Sequence, residues 1–168
     1  NKPLTINNFY VPAGGDEPDP EINDKFKHKL DFLDEASAWL KSKKNKKDLI
    51  LLVGDLNIAP HKNDVWSHKQ LVKIVSHTPV EVRKLEKLRS SYDFIDSIRK
   101  FYPYTEKVYS WWSYRSKNWQ ESNRGRRLDH MWSSPELDKF IKSTSIEKRV
   151  RDFERPSDHV PLIADFKF

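Results

Sequence analysis

The chain has 168 residues, of which 33% are charged and 36% hydrophobic, and its formal net charge is +6. Length and composition predict one soluble globular domain with a core of its own, and they exclude a disordered chain. Because the sequence contains no cysteine, disulfides, thiolate nucleophiles and cysteine-ligated zinc or iron–sulfur sites are excluded.

The positive charge favours a polyanionic partner, which could be nucleic acid, an anionic membrane surface or a phosphorylated substrate. The alternative is a merely basic surface. The longest apolar run, residues 49–53, is far too short to span a bilayer. The chain opens with "NKPLTINNFY" and no methionine, from which we expect either a processed product or a segment missing upstream.

In the first half, the pattern predicts a strand over residues 4–11, followed by a loop rich in glycine, proline and acids at 12–20. Apolar residues at three- and four-residue spacing predict a helix over 22–44. The apolar run at 49–53 predicts a strand that is covered on both faces. A capping box predicts the start of the next helix, at Thr78, Pro79 and Glu81.

The second half continues the mixture of helices and strands. We predict a short helix over 94–101, which ends before Pro103, and another that begins at Ser134-Pro135. Four further segments are predicted as strands: 107–114, 126–132, 143–150 and 161–168. No internal repeat or linker divides the chain, so the fold class is mixed α/β in one domain.

"LLVGDLN", residues 51–57, places a carboxylate and an amide at the end of a buried strand. On an extended backbone the side chains of Asp55 and Asn57 would point to the same side. Such a pair could hold or deprotonate a water molecule and donate to a phosphoryl oxygen. The alternative is an ordinary turn, since both residue types satisfy backbone groups after strands.

Two further stretches carry candidate acid–base groups. In "SDHVPL", His159 could donate to a phosphate oxygen, and Asp158 could help to hold a hard cation; the alternative is a helix-capping or surface role. In "RRLDHMW", Asp129 is a carboxylate in an otherwise apolar segment. It could orient the ring of His159, or it could form an ion pair with Arg126 or Arg127.

Aromatic and basic side chains suggest a polar ligand. Tyr10, at the end of the first predicted strand, could reach a phosphate through its hydroxyl, although a packed aromatic is the commoner role. Aromatic faces and guanidinium groups suit a sugar, an unstacked base or a phosphate, although alternation should bury one tryptophan of the pair. The candidates are Trp111, Trp112, Tyr114, Arg115, Arg124, Arg126 and Arg127.

Four stretches in order, "NFYVP", "GDLN", "WWSYR…NRGRRLDH" and "SDHVPL", resemble the exodeoxyribonuclease III family of DNA-repair nucleases. Each stretch is weak alone, but the ordered set is specific and spans the chain. The resemblance implies a four-layer α/β/β/α sandwich, of which residues 1–168 would be the carboxy-terminal part. The amino-terminal half, which supplies an Asn and a metal-binding Glu in the family, would be absent.

The resemblance also implies roles for individual residues. Asp55 resembles the carboxylate that activates water, Asn57 its phosphate-positioning neighbour, and His159 the histidine that contacts the phosphate and is oriented by Asp129. Tyr10 resembles a tyrosine that reaches the phosphate or a metal. Mg²⁺ or Mn²⁺ would be held among Asp55, Asn57, Asp158 and His159. An aromatic patch of Trp111, Trp112 and Tyr114 would receive an abasic sugar.

From the resemblance we expect the complete protein to be a metal-dependent hydrolase that acts on duplex DNA at abasic sites or 3′ ends, in the cytoplasm of a bacterium and without a membrane partner. In this chain by itself the activity would be incomplete. The complete protein would be a monomer, and this chain would pair with the missing amino-terminal half. Two alternatives stay open at this point. One is a non-catalytic DNA-binding remnant, and the other is a phosphoinositide or lipid phosphatase of the wider superfamily.

Overall fold

The computed structural model describes residues 3–115 and 118–168. The strands in this part of the chain are β1 (Leu4–Asn8), β2 (Leu49–Asp55), β3 (Ile95–Asp96), β4 (Trp111–Trp112), β5 (Gly125–Arg126), β6 (Asp129–Ser133), β7 (Ile141–Ile146) and β8 (Leu162–Phe166). The helices are α1 (Asp24–Lys43), α2 (His68–Leu71), α3 (Pro79–Ser91), α4 (Ser97–Phe101), α5 (Trp119–Ser122), α6 (Pro135–Asp138) and a 3₁₀ helix at Lys148–Asp152.

The main sheet has the strand order β1-β2-β6-β3, in which β2 runs parallel to β1 and antiparallel to β6. β2 is buried on both faces, as predicted. Ile50 and Leu52 belong to the cluster that contains Leu33 and Leu40 of α1 and Leu85 and Leu88 of α3. The alternate residues Leu49 and Leu51 pack with residues of the β7–β8 hairpin on the other face. A helix layer, a sheet and a second sheet therefore stack in that order, which confirms the α/β class.

Both long helices follow from local sequence. Asn23 caps α1 by accepting a hydrogen bond from the Lys25 N–H, and the apolar stripe of the helix faces the sheet. At α3, the Thr78 side chain accepts from the Glu81 N–H while the Glu81 carboxylate accepts from the Thr78 N–H. The predicted capping box is therefore confirmed.

Five predicted segments had wrong boundaries. The segment predicted as one strand over 126–132 is divided between β5, which ends at Arg126, and β6, which begins at Asp129. β1 ends at Asn8 rather than at 11, and the segment predicted as a helix over 94–101 begins with β3. Only Trp111 and Trp112 are strand within 107–114, because Val108 and Ser110 bond instead to Asn63 and Arg126 in neighbouring segments. The strand predicted at 143–150 starts earlier and stops at Ile146, since Glu147 caps the 3₁₀ helix that follows. Non-local hydrogen bonds decided these boundaries.

β1 lies at an edge of the main sheet and is paired there with β2. Its side chains Leu4 and Ile6 are 40% and 59% exposed. The unpaired backbone groups of such an edge strand can form hydrogen bonds with a strand of another chain. Among the described residues, no helix combines the length and the apolar character that a bilayer crossing requires.

Candidate active site

The carboxylate of Asp55 lies at the last residue of β2, where the backbone approaches the end of β1 very closely. Gly54 has φ +131°, and a Cβ at this position would lie 1.9 Å from the carbonyl oxygen of Phe9. Only glycine is compatible with that approach. The N–H of Val11 then bonds to the Asp55 carbonyl at 2.9 Å, which fixes the backbone on both sides of the carboxylate.

Asn57 meets Asp55 through a turn rather than through an extended backbone. Its φ of 51° is left-handed, a conformation that asparagine tolerates better than most residues. The turn lets the Asn57 N–H donate to Asp55 Oδ1 at 2.9 Å and Asn57 Nδ2 donate to Asp55 Oδ2 at 3.1 Å. The predicted pairing of carboxylate and amide is therefore present, but the predicted geometry behind it was wrong.

His159 and Asp129 complete the cluster. Asp129 is the cross-strand partner of Asp55 between β6 and β2, and its Oδ2 lies 2.8 Å from His159 Nδ1. Because a carboxylate only accepts, Nδ1 carries the hydrogen and donates. Nε2 of the same ring lies 3.9 Å from Asp55 Oδ2. Side chains separated by up to 104 positions of sequence (55 to 159) thus converge at one end of the sheet.

The pKa values of the two titrating groups shift in the same direction. Burial raises the pKa of Asp55, and the nearby charge of Asp129 raises it further. The hydrogen bond from the Asn57 N–H lowers it, but the net shift is upward. Burial by itself disfavours the charged ring of His159, but the hydrogen bond to Asp129 and the carboxylates around it outweigh burial and raise the pKa of His159. The ring is thus held more basic than an ordinary histidine.

The remaining predicted site residues occupy different positions. Tyr10 sits between two residues that bond to the end of β2, and its side chain is 67% exposed. The Asp158 carboxylate accepts from the indole N–H of Trp111 at 2.9 Å. This contact fixes Trp111 beside His159, with which Trp111 forms a β-bridge. Asp158 therefore positions the ring of Trp111. It does not belong to the group of side chains that could hold a metal ion.

A groove of about 910 Å³ opens next to Asn57. Arg124 lies over the ring of Trp66 at 4.8 Å, and Arg126 lies over the ring of Trp111 at 5.6 Å. Arg126 also donates to the Ser76 hydroxyl at 2.6 Å, so its guanidinium is fixed. Five residues predicted for nucleic-acid contact line the groove: Trp111, Trp112, Arg115, Arg124 and Arg126.

Two predicted contact residues are corrected. Trp112 is 1% exposed, packs on Tyr109 and Trp119, and donates to Asn123; its ring therefore belongs to the core, as alternation allowed for one of the pair. Arg127 is fully buried and pairs with Asp64 and Asp96, which excludes it from phosphate contact and from the alternative ion pair with Asp129.

Tyr114 is exposed, and its sequence neighbours Ser113 and Arg115 line the groove. Its ring is 61% exposed, and its hydroxyl donates to the carbonyl of Pro156 at 2.9 Å. The guanidinium of Arg151 lies 5.4 Å from the ring centroid. The tyrosine is thus anchored at one end while a large part of its ring is accessible.

Sequence reasoning missed two buried supports of the cluster. The Ser110 hydroxyl accepts from the N–H groups of Leu128 and Asp129 at 3.0 Å each, while its carbonyl accepts from Val160, next to His159. Ser110 thereby holds both partners of the Asp129–His159 contact. No signal in the sequence marks this serine.

The second support is the buried ion pair between Lys29 and Glu81, whose Nζ–Oε1 distance is 2.6 Å. A signal for it did exist. Lys29 follows Phe26 by three positions and so lies on the apolar stripe of α1, where a lysine is unexpected.

Three side chains could hold a metal ion. Among the described His, Cys, Asp and Glu residues, Asp55, Asp129 and His159 each offer one ligand atom, and these atoms lie within 4.8 Å of one another. Carboxylate oxygens are the donors that hard divalent cations prefer. The carboxylates of Asp55 and Asp129 are partly buried and face each other across adjacent strands. A positive charge between them would reduce their electrostatic repulsion.

Comparison with known proteins identifies a matching family and several relatives. The Endonuclease/Exonuclease/phosphatase family matches residues 2–159. Exodeoxyribonuclease III of Haemophilus influenzae is 33% identical over 98% of the chain and 62% of its own length. The chain thus spans less than two thirds of this relative.

Two solved structures are similar to the fold. An AP endonuclease from Archaeoglobus fulgidus superposes with a TM-score of 0.91 at 29% identity, covering 98% of this chain and 62% of that one. The 3′ phosphatase NExo from Neisseria, bound to product DNA hairpin, superposes with a TM-score of 0.86 at 27% identity, covering 97% and 61%.

Proposed function

Because the chain belongs to the endonuclease/exonuclease/phosphatase family, we propose that it hydrolyses phosphate ester bonds in duplex DNA, at abasic sites or at 3′ ends. The observation that carries the proposal is the convergence of Asp55, Asn57, Asp129 and His159 within contact distance of one another. A cytoplasmic bacterial enzyme of DNA base excision repair is the setting that we propose for this activity.

Asp55 is the base in this mechanism. Its carboxylate is held by two donors from Asn57 and lies 15% exposed at the side chain, so one water molecule can be held at a fixed orientation. As the water oxygen bonds to phosphorus, one of its protons passes to Asp55. The bond to the sugar oxygen breaks, and this oxygen leaves with the bonding electron pair and takes up a proton from solvent. The raised pKa makes Asp55 a stronger base than an ordinary aspartate.

His159 stabilises the charge that develops on the phosphoryl oxygens. Asn57 orients Asp55 instead, because its Nδ2 hydrogens bond to the Val11 carbonyl and to Asp55 Oδ2. Asp129 holds Nδ1 of His159 as a donor, so the protonated ring directs its Nε2–H away from Asp129 and towards the phosphate. The 3.9 Å between Nε2 and Asp55 exceeds hydrogen-bonding distance, which leaves Nε2 able to donate to a phosphate. Donors fixed in advance stabilise a transition state at little cost in reorganisation.

Asp55 and Asp129 are the residues that would hold Mg²⁺ or Mn²⁺. His159 belongs to the same metal-compatible group, but its protonated ring has no free nitrogen and would donate to the phosphate instead. When bound, such a cation supplies positive charge to the phosphoryl oxygens. This assignment replaces Asp158 of the sequence prediction with Asp129, because the Asp158 carboxylate is engaged by the Trp111 indole. A metal contact of the Asn57 side-chain oxygen stays a prediction.

DNA would lie along the groove that begins at Asn57. Its arginines offer phosphate contacts, and Trp66 and Trp111 offer flat apolar surfaces for a sugar or an unstacked base. The names of the relatives described above, an exodeoxyribonuclease, an AP endonuclease and a 3′ phosphatase bound to DNA, favour this substrate over a phosphoinositide.

A second candidate function is DNA binding without catalysis. It is favoured by one observation, the basic and aromatic groove, which by itself explains affinity but not hydrolysis. The two candidates share the substrate and differ in whether a bond is broken.

The experiment is a cleavage and binding assay on a labelled duplex with one central abasic site, with Mg²⁺ and with chelator, against the same duplex without the site. We expect cleavage at or next to the abasic site that depends on Mg²⁺. Binding of the abasic duplex without cleavage under any condition would overturn the proposed hydrolysis and leave the binding module. Neither binding nor cleavage would overturn both.

A further inference from the structure

Lys29 is a fully buried lysine of α1 that the mechanism above does not use. Its side chain is 0% exposed, and its ammonium has three oxygen partners: the carbonyl of Ala13 at 3.1 Å, the carbonyl of Asn57 at 2.9 Å and Glu81 Oε1 at 2.6 Å. These partners come from the loop after β1, the turn after β2 and the start of α3. One ammonium group therefore joins three separate segments beneath the candidate active site.

The contact with Asn57 fixes the turn that presents this residue. Asn57 is left-handed at φ 51°, which costs free energy for any residue with a side chain. Its Nδ2 group is shared between the Val11 carbonyl at 2.9 Å and Asp55 Oδ2 at 3.1 Å. Lys29 holds the carbonyl of the same residue, so the backbone of Asn57 cannot rotate without breaking a bond to a buried charge.

At its other end the ion pair reaches the groove. The Glu81 carboxylate, also 0% exposed, accepts from the N–H groups of Ser76 and Thr78. The Ser76 hydroxyl in turn accepts from Arg126. Asn57 and Arg126 both line the groove, and the Lys29–Glu81 pair connects the segments that carry them.

Fold stability alone does not account for this pair. Burying an ammonium and a carboxylate is costly, and apolar residues of the same volume often replace such pairs without loss of stability. The neighbours of Lys29 on its stripe, Phe26 and Leu30, are buried apolar residues. A third apolar residue would continue that pattern.

We propose that Lys29, paired with Glu81, is a positioning residue that holds Asn57 in the conformation needed at the active site and fixes its place relative to Arg126. The proposal rests on the proposed hydrolytic function for its effect on catalysis, but the structural part, the constraint on Asn57, is independent of any activity. Asn57 would then owe its geometry to a residue 28 positions earlier in the chain.

The test uses two variants and one control. Lys29→Met removes the ammonium but leaves the charge of Glu81 buried and unpaired, so this variant is expected to lose stability. The double variant Lys29→Met/Glu81→Gln removes both charges and keeps an acceptor oxygen for Ser76 and Thr78. Lys27→Met is the matched control, because Lys27 lies on the same helix and its exposed ammonium pairs with Asp31 at 2.5 Å.

Three measurements are made on each protein: thermal unfolding, which gives the midpoint; NMR, which gives the ¹H–¹⁵N resonances of the Asn57 side-chain amide; and kinetics on the abasic duplex with Mg²⁺, which give kcat and KM. In the double variant we expect cooperative unfolding, displaced and faster-exchanging Asn57 amide protons, and a kcat lowered about 10- to 100-fold with KM within about 2-fold. Lys27→Met should match the unsubstituted protein in the last two.

Wild-type Asn57 resonances and an unchanged kcat in the folded double variant would overturn the proposal, since Lys29 would then only neutralise Glu81. A rise in KM with unchanged kcat would also overturn it, because that pattern indicates lost binding. If the unsubstituted protein does not cleave DNA, the proposed function fails, and the Asn57 resonances alone decide whether Lys29 constrains this residue.

Discussion

Among the single residues of the site, the contact between Asp129 and His159 has the clearest effect on titration. It raises the pKa of His159 above the ordinary value of about 6.5. The ion pair therefore contributes stability that is fully present below that ordinary value and is lost as the pH rises through the raised pKa of the folded protein. The carboxylate of Asp129 likewise helps to raise the pKa of Asp55.

Replacing Asp129 by Asn removes this charge, so both pKa values should fall. If cleavage needs ionised Asp55 and protonated His159, the pH–rate profile is bell-shaped, and both of its limbs should move to lower pH in Asp129→Asn. An NMR titration of the His159 ring carbon gives the same quantity without activity, and it should show a lower pKa in the variant. An unchanged His159 titration would contradict the role assigned to Asp129.

Sequence reasoning predicted these residues but not all of their geometry. The residue types of "GDLN" and "SDH" identified Asp55, Asn57 and His159 as candidates, and the family resemblance paired Asp129 with His159. The left-handed turn at Asn57 was missed, because a carboxylate–amide pair two residues apart is equally compatible with an extended strand. Ser110 and Lys29 were missed, because their roles depend on segments distant in sequence.

Individual elements were predictable where local signals determine them. The capping box fixed the start of α3, and the apolar stripe fixed α1 to within two residues of the observed bounds. Short strands were not predictable, since β3, β4 and β5 each have two residues and exist through pairing with distant partners. Alternation of apolar residues cannot identify such pairing.

The cap of α3 gives a prediction at the scale of the element. Thr78→Ala removes the side chain that accepts from the Glu81 N–H, so it should lower the free energy of unfolding by about 1 kcal/mol. Denaturant unfolding should show a lower midpoint at an unchanged m-value. The matched control is Thr105→Ala at an exposed threonine, for which we expect less than about 0.5 kcal/mol; equal effects in both variants would contradict the capping role.

At the scale of the whole molecule, the net charge of +6 becomes informative once the arginines of the groove are located. Charge alone left nucleic acid, a membrane surface and a phosphorylated substrate equally open. The layered packing brings the ends of β2 and β6 together with the groove, and no local pattern of the sequence contains that convergence. For the same reason only the structure shows that Trp112 packs in the core while Trp111 lines the groove.

The groove also predicts a salt dependence. If Arg124 contacts a DNA phosphate, Arg124→Gln should reduce the slope of log K against log salt by about 0.9 for duplex DNA. Fluorescence titrations at several salt concentrations measure this slope. Arg83→Gln, at an exposed arginine of α3, is the control and should leave the slope unchanged. An equal slope for Arg124→Gln and the unsubstituted protein would place DNA elsewhere on the surface.

The central claim is that Asp55 is the base of a site that breaks phosphate esters in DNA. The direct measurement compares cleavage of the abasic duplex by the unsubstituted protein and by Asp55→Asn, with the exposed Asp31→Asn on α1 as control. We expect a rate of cleavage about 10²- to 10⁴-fold lower in Asp55→Asn, with DNA binding retained and with the rate of Asp31→Asn unaffected. A rate for Asp55→Asn close to that of the unsubstituted protein would contradict it.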